Sequence, residues 1–126
     1  FEMPYVSRIF DQFGGVYYGC CEKLDDRLDI VAQMPNVKKV SCSPWSDPDR
    51  FAANLPKQMI LSHKPNPAFV SVGDLDASRR ELERVIRAAG ANGVRLEMIL
   101  KDNSTVHYKP ERLWEFSRMA SELVQA

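Results

Sequence analysis

Apolar positions along this chain alternate between two periods, and the changes of period mark out alternating helices and strands. Val6, Ile9, Phe10 and Phe13 recur at helical spacing, and Gly14-Gly15 is expected to stop that first helix. Val16-Tyr17-Tyr18-Gly19-Cys20-Cys21 then reads as a strand. Leu24, Leu28, Val31 and Ala32 fall on one face of a helix that Pro35-Asn36 ends. Lys38 to Cys42 reads as a second strand built around Val40. Ser46-Asp47-Pro48 opens the next helix, because Asp47 can accept the free N–H groups of a first turn and Pro48 suits that turn. Phe51, Ala52 and Leu55 form its apolar face before Pro56 breaks it.

The third strand runs from Gln58 to Ser62 and ends in the turn-rich His63-Lys64-Pro65-Asn66-Pro67. Leu82, Val85, Ile86 and Ala89 then line one face of a helix that Gly90 is expected to cap. The fourth strand, Val94 to Lys101, alternates. Val94, Leu96, Met98 and Leu100 point to one side, and Arg95, Glu97, Ile99 and Lys101 to the other. Pro110 opens a last helix with the stripe Leu113, Phe116, Ser117, Ala120, Leu123 and Val124. This alternation predicts right-handed crossovers and an α/β fold: four βα units with a parallel sheet, in one domain over residues 1–126. A flavodoxin-like open sheet fits, and so does part of a (β/α)₈ barrel. A whole barrel needs roughly 250 residues, so four units would be about half of one.

Charge narrows the choice of partners. Lys plus Arg number 17 and Asp plus Glu also number 17, which leaves no electrostatic footprint for nucleic acid or an anionic membrane. No apolar run reaches the roughly 18 residues of a membrane helix. Of three cysteines, Cys20 and Cys21 are neighbours, a poor arrangement for a structural bridge, and this points to a reducing, cytoplasmic setting. The chain opens at Phe1 rather than Met, so it is expected to be a piece of something longer. Four units cannot close a barrel. Their open edges predict a homodimer or higher oligomer.

In a parallel α/β fold, function gathers at the carboxyl ends of the strands. Those ends carry Cys20-Cys21-Glu22, Ser41-Cys42-Ser43-Pro44-Trp45, Ser62-His63-Lys64-Pro65-Asn66 and Lys101-Asp102-Asn103. Cys20 and Glu22, with Cys42 from the neighbouring strand, offer a partial zinc shell of thiolates and carboxylate. The alternative is that the cysteines are small buried strand residues. Lys64 is either a solvated loop cation or a binder of phosphate or carboxylate. Glu97 is either half of an Arg95–Glu97 structural pair or a functional carboxylate. Trp45 reads as packing at the strand exit or as a substrate contact. No Gly-rich phosphate loop, G-x-S-x-G elbow or H-E-x-x-H is present.

Tyr18-Gly19-Cys20-Cys21-Glu22, Ser43-Pro44-Trp45-Ser46-Asp47, Lys64-Pro65-Asn66-Pro67-Ala68 and Lys101-Asp102-Asn103-Ser104-Thr105-Val106 occur in that order over nearly the whole chain. Together they resemble the C-terminal half of uroporphyrinogen decarboxylase-like proteins, a superfamily that includes corrinoid-dependent methyltransferases. The resemblance implies the last four units of a (β/α)₈ barrel, with an active-site funnel at the strand ends and a small-molecule substrate. Cys20 stands where the methyltransferases place a zinc-ligating Cys, with Tyr18 in place of their His, which implies methyl transfer with zinc and a corrinoid protein as partner. The alternative is decarboxylation of an anionic, porphyrinogen-like substrate. Lys64, Asn66, Tyr18 and Trp45 would then contact substrate, while Glu97, Asp102 and Lys101 would manage carboxylates and protons. A third reading is a fold inert on its own, without a complete site.

Overall fold

The computed structural model describes residues 2–126. Its elements are α1 (Met3–Phe10), β1 (Val16–Tyr18), α2 (Leu28–Ala32), β2 (Val37–Cys42), α3 (Pro48–Asn54), β3 (Ile60–His63), α4 (Pro67–Val72), α5 (Leu75–Asn92), β4 (Arg95–Met98) and α6 (Glu111–Gln125). The four strands form one sheet in the order β1-β2-β3-β4, and every pair is parallel. The α/β class and the four βα units expected from periodicity are what the chain adopts. The strand order is consecutive, with no reversal, so the sheet lacks the switch point that a doubly wound sheet has.

Helices pack on one face. Val40, Cys42 and Leu61 from the sheet meet Leu28 and Val31 of α2, Phe51, Ala52 and Leu55 of α3, and Val85 and Ala88 of α5 in one cluster. Phe51, Leu61, Leu82 and Val85 are fully buried, each worth about 1.5–3 kcal/mol relative to exposure. A second cluster joins Val70 and Leu82 to Phe116 and Met119 of α6. The opposite face of the sheet is polar. Lys39 places its ammonium 3.0 Å from both Glu97 carboxylate oxygens and 4.6 Å from the centre of the Tyr17 ring. The Ser62 hydroxyl donates to Glu97 Oε2 at 2.7 Å and stands 3.2 Å from the Tyr17 hydroxyl. Glu97 therefore pairs across strands with Lys39, whereas Arg95 turns away to the carbonyl of Gln58.

Boundaries differ from the periodicity in instructive ways. β1 stops at Tyr18, and a register shift between Val16 and Tyr17 puts Tyr17 rather than Tyr18 on the polar face. Tyr18 instead packs edge-on against Phe10 of α1, with ring centroids 6.4 Å apart. α1 ends before Gly14-Gly15, at Phe10. β3 includes His63, and the proline-rich segment after it contains α4, whose first turn is Pro67. β4 is regular only from Arg95 to Met98, although the Ile99 N–H still reaches the His63 carbonyl. α5 runs through Gly90 to Asn92, and Gly93, at φ +62°, takes the left-handed cap.

Asp47 caps α3 as its position implies, accepting the N–H groups of Asp49 at 3.0 Å and Arg50 at 3.4 Å. Arg84 of α5 adds a bond at 2.9 Å and also holds Asp49. Desolvation opposes the charge on Asp47, but those N–H groups and Arg84 outweigh it and hold its carboxyl below the usual range. A depressed carboxyl contributes stability that is full above its unfolded value and lost as pH falls through the folded one. Asp47→Asn is thus expected to flatten the acid limb of the stability-versus-pH curve, as denaturant melts at pH 3 and pH 7 would show. Asp47→Ala should cost about 1 kcal/mol, since the half-exposed ion pair adds little to the cap.

β1 and β4 each leave one edge unpaired, and among the described residues no helix covers the Tyr17–Glu97 face. Unpaired parallel edges invite association. Light scattering at micromolar concentration should give at least twice the chain mass, and a monomer at that concentration would refute self-association.

Candidate functional site

The carboxyl ends of the strands gather around Lys64. This residue leaves β3 with its backbone N–H on the Cys42 carbonyl at 2.9 Å, which ties the exit of β3 to the end of β2. Its side chain then runs toward the turn after β1, where the ammonium donates to the Cys20 carbonyl at 2.9 Å. The same carbonyl accepts the Ser41 hydroxyl at 2.6 Å. Lys64 is only 5% exposed, and among the described residues no carboxylate lies within 4 Å of its ammonium. A buried ammonium with one neutral acceptor is under-satisfied, because buried charges are ordinarily paired.

Two adjoining hollows open beside it. One, of about 240 Å³, is lined by Tyr17, Cys20, Cys21, Lys64, Ile99 and Lys101. The other, of about 160 Å³, is lined by Cys21, Trp45, Lys64, Pro65, Lys101 and Asp102. Cys21, Lys64 and Lys101 line both. The Lys101 ammonium stands 3.2 Å from Asp102 and 3.5 Å from the Cys21 sulfur. Its pKa is raised, first by the bond to Asp102 and then by the bond to Cys21, so it stays charged. Trp45 is 65% exposed at the rim, which removes the packing reading and leaves its ring facing the hollow.

The other candidates have different surroundings. Asn66 caps α4, accepting the Ala68 N–H at 3.0 Å, and its own N–H lies on Glu81, so it is engaged in structure. Tyr18 lies under α1. Glu97 sits on the polar face, held ionised first by the Ser62 hydroxyl and then by Lys39, and it lines neither hollow. Glu22 is exposed and pairs loosely with Arg27 at 3.6 Å, while its N–H donates to the Cys20 sulfur. Cys20 is half-buried against the apolar core. Cys42 faces the helices, and burial first, then Asp25, pushes its thiol up to about 12. Among the described residues no group of three or more His, Cys, Asp or Glu side chains gathers as a metal shell. Of the expected set, Cys20 and Cys42 both lie against the same apolar cluster, while Glu22 is exposed and pairs with Arg27.

Tyr17 is the residue that sequence reasoning passed over, whereas Cys21 was named with Cys20 as a thiol at a strand end but given no site role of its own. The signal for Tyr17 lay in Gly19, which ends the strand and thereby cancels simple alternation beyond Tyr18. The three thiols are graded by exposure, so iodoacetamide should alkylate Cys21 first, Cys20 slowly and Cys42 only on unfolding. Peptide mass mapping over a time course checks that order.

A scan against protein-family models and searches of curated proteins and of solved structures return no match to this chain.

Proposed function

We propose that this chain forms the last four βα units of a (β/α)₈ barrel in a uroporphyrinogen decarboxylase-like enzyme, and that its strand-end cleft binds a small carboxylate-bearing substrate. Consecutive strand order, helices on one face and a polar opposite face support the barrel, since a barrel lining is built from alternate residues of neighbouring strands. The observation that carries the substrate class is the buried Lys64 ammonium, which among the described residues has no carboxylate partner, and which lines a cleft shared with Lys101.

In this reading Lys64 and Lys101 hold carboxylate oxygens, and the flat Trp45 ring covers the substrate's apolar part. Decarboxylation breaks the C–carboxylate bond, releases CO₂ and leaves the electron pair on carbon, where fixed cations stabilise it until water supplies the replacing proton. Asp102, already on Lys101, orients that cation. Glu97 holds Lys39 in the lining and stays ionised, so it takes no part in donating protons.

One observation favours a second reading, methyl transfer to a thiol. The exposed Cys21 sulfur lies in the cleft 3.5 Å from the Lys101 ammonium, placed to accept a methyl group, and a corrinoid protein would be the methyl carrier. The anionic-substrate reading is tested by calorimetric titration with malonate and with its neutral diamide. Malonate is expected to bind at least tenfold more tightly, with the difference shrinking at high salt. Equal affinities would overturn it.

A further inference from the structure

Two thiols stand side by side in the strand-end cleft. Cys20 and Cys21 line the same hollow of about 240 Å³, Cys21 exposed and Cys20 half-buried, whereas Cys42 is buried. The Cys20 sulfur accepts the Glu22 N–H at 3.3 Å, which sets it beside the backbone of its neighbour. Neither residue is held in regular structure, because β1 ends at Tyr18 and α2 begins only at Leu28.

The peptide between the two sulfurs is already in use. Its carbonyl, that of Cys20, accepts the Ser41 hydroxyl at 2.6 Å. It is also the one acceptor of the buried Lys64 ammonium among the described residues, at 2.9 Å. The Cys21 sulfur in turn stands 3.5 Å from the Lys101 ammonium. A bond between these sulfurs therefore acts on both cations of the cleft. Adjacent Cα atoms lie about 3.8 Å apart across a trans peptide, closer than the roughly 4.4–6.8 Å of ordinary disulfides. A bridge here closes a small, strained ring around the Cys20–Cys21 peptide. Strained or exposed bridges are the readily reduced ones, suited to a reversible change rather than to holding a fold.

We propose that Cys20 and Cys21 form a peroxide-responsive modification site, closing to a reversible disulfide that turns the Cys20 carbonyl away from Lys64. The exposed Cys21 sulfur attacks one peroxide oxygen, the O–O bond breaks, and water leaves behind a sulfenic acid. The Cys20 sulfur then attacks the Cys21 sulfur, forming the S–S bond and breaking the S–O bond. The displaced hydroxide leaves with the Cys20 thiol proton as a second water, so peroxide gains two electrons and the thiols lose two. Ring closure draws Cys21 from Lys101 and takes from Lys64 its acceptor, which leaves both ammonium groups to an incoming anion. That last consequence rests on the carboxylate reading of the cleft; the bridge does not.

Treatment with equimolar hydrogen peroxide, then alkylation and peptide mapping, tests the chemistry. The expected product is a peptide carrying both residues, lighter by two hydrogen atoms, closed to alkylation and restored by dithiothreitol. Cys20→Ser should instead stop at one oxygen atom added to Cys21. The ¹³C resonance of the Cys20 carbonyl should move on oxidation and return on reduction. Malonate should bind the oxidised chain at least fivefold more tightly than the reduced one. Disulfide-linked pairs of chains, or Cys20 still open to alkylation once Cys21 is oxidised, would overturn the proposal. So would an unmoved carbonyl resonance, or a measurable malonate affinity that oxidation leaves unchanged. If malonate binds neither form while the bridge and the carbonyl shift are seen, the carboxylate reading falls and the redox site stands.

Discussion

Replacing Lys64 by methionine is expected to stabilise the free chain while abolishing tight binding of a dicarboxylate. Methionine keeps the apolar stem packed and removes the ammonium of a 95% buried residue that has no counter-charge among the described residues. The lost bond is to the Cys20 carbonyl, which keeps the Ser41 hydroxyl at 2.6 Å as a partner. Removing a poorly paired buried charge in favour of an apolar group of similar volume is neutral to stabilising. We expect a gain of about 1 kcal/mol, or roughly 3–5 °C in melting temperature for a chain of this size. Malonate affinity should fall at least tenfold, since the best-desolvated cation in the cleft is gone. A chain that melts lower with affinity unchanged would make Lys64 a strut and nothing more. Such opposition between stability and binding is usual where a site keeps a strained or under-satisfied group.

The largest loss of stability is expected at Phe51. Its ring is fully buried in the cluster that joins α2, α3 and the sheet to Val85 and Ala88 of α5. Phe51→Ala removes that burial and leaves a hole that the rigid sheet behind it cannot close, at a cost of about 3–5 kcal/mol. Total stability for a single domain is about 5–15 kcal/mol, so the variant should unfold at a much lower urea midpoint. Because α3 carries the Asp47 cap and its loop carries Trp45, carboxylate affinity should weaken with it. A midpoint shift corresponding to less than about 1 kcal/mol would show that the α3 contact is not a keystone of the core.

How much of this was legible in the sequence depends on which physics set each feature. Parallel pairing followed from the alternation of periods, because short loops between strand and helix leave a right-handed crossover as the economical route. The Asp47 cap was legible because capping is local: one side chain, two N–H groups and a proline. Local cues failed where tertiary packing decided. Alternation carried past Tyr18 assigns Cys20 and Tyr18 to the lining, but the register shift at Val16/Tyr17 and the early end of β1 exchange Tyr18 for Tyr17. The Glu97–Lys39 pair joins residues 58 positions apart, and no local rule selects it over Arg95. Asn66 looked like a substrate contact because it follows Lys64 in a motif, yet its amide is used by α4. Lys64 and Lys101 were nameable from their places after strands, while the burial of one and the exposure of the other became visible only in the fold.

Amide chemical-shift mapping of the ¹⁵N-labelled chain during a malonate titration addresses the strand-end cleft most directly. The account predicts saturable shifts concentrated at Cys20, Cys21, Lys64 and Lys101 and at the Trp45 indole, absent in Lys64→Met and not reproduced by chloride at equal ionic strength. Shifts scattered over the exposed lysines and arginines, or the same response to chloride, would contradict it.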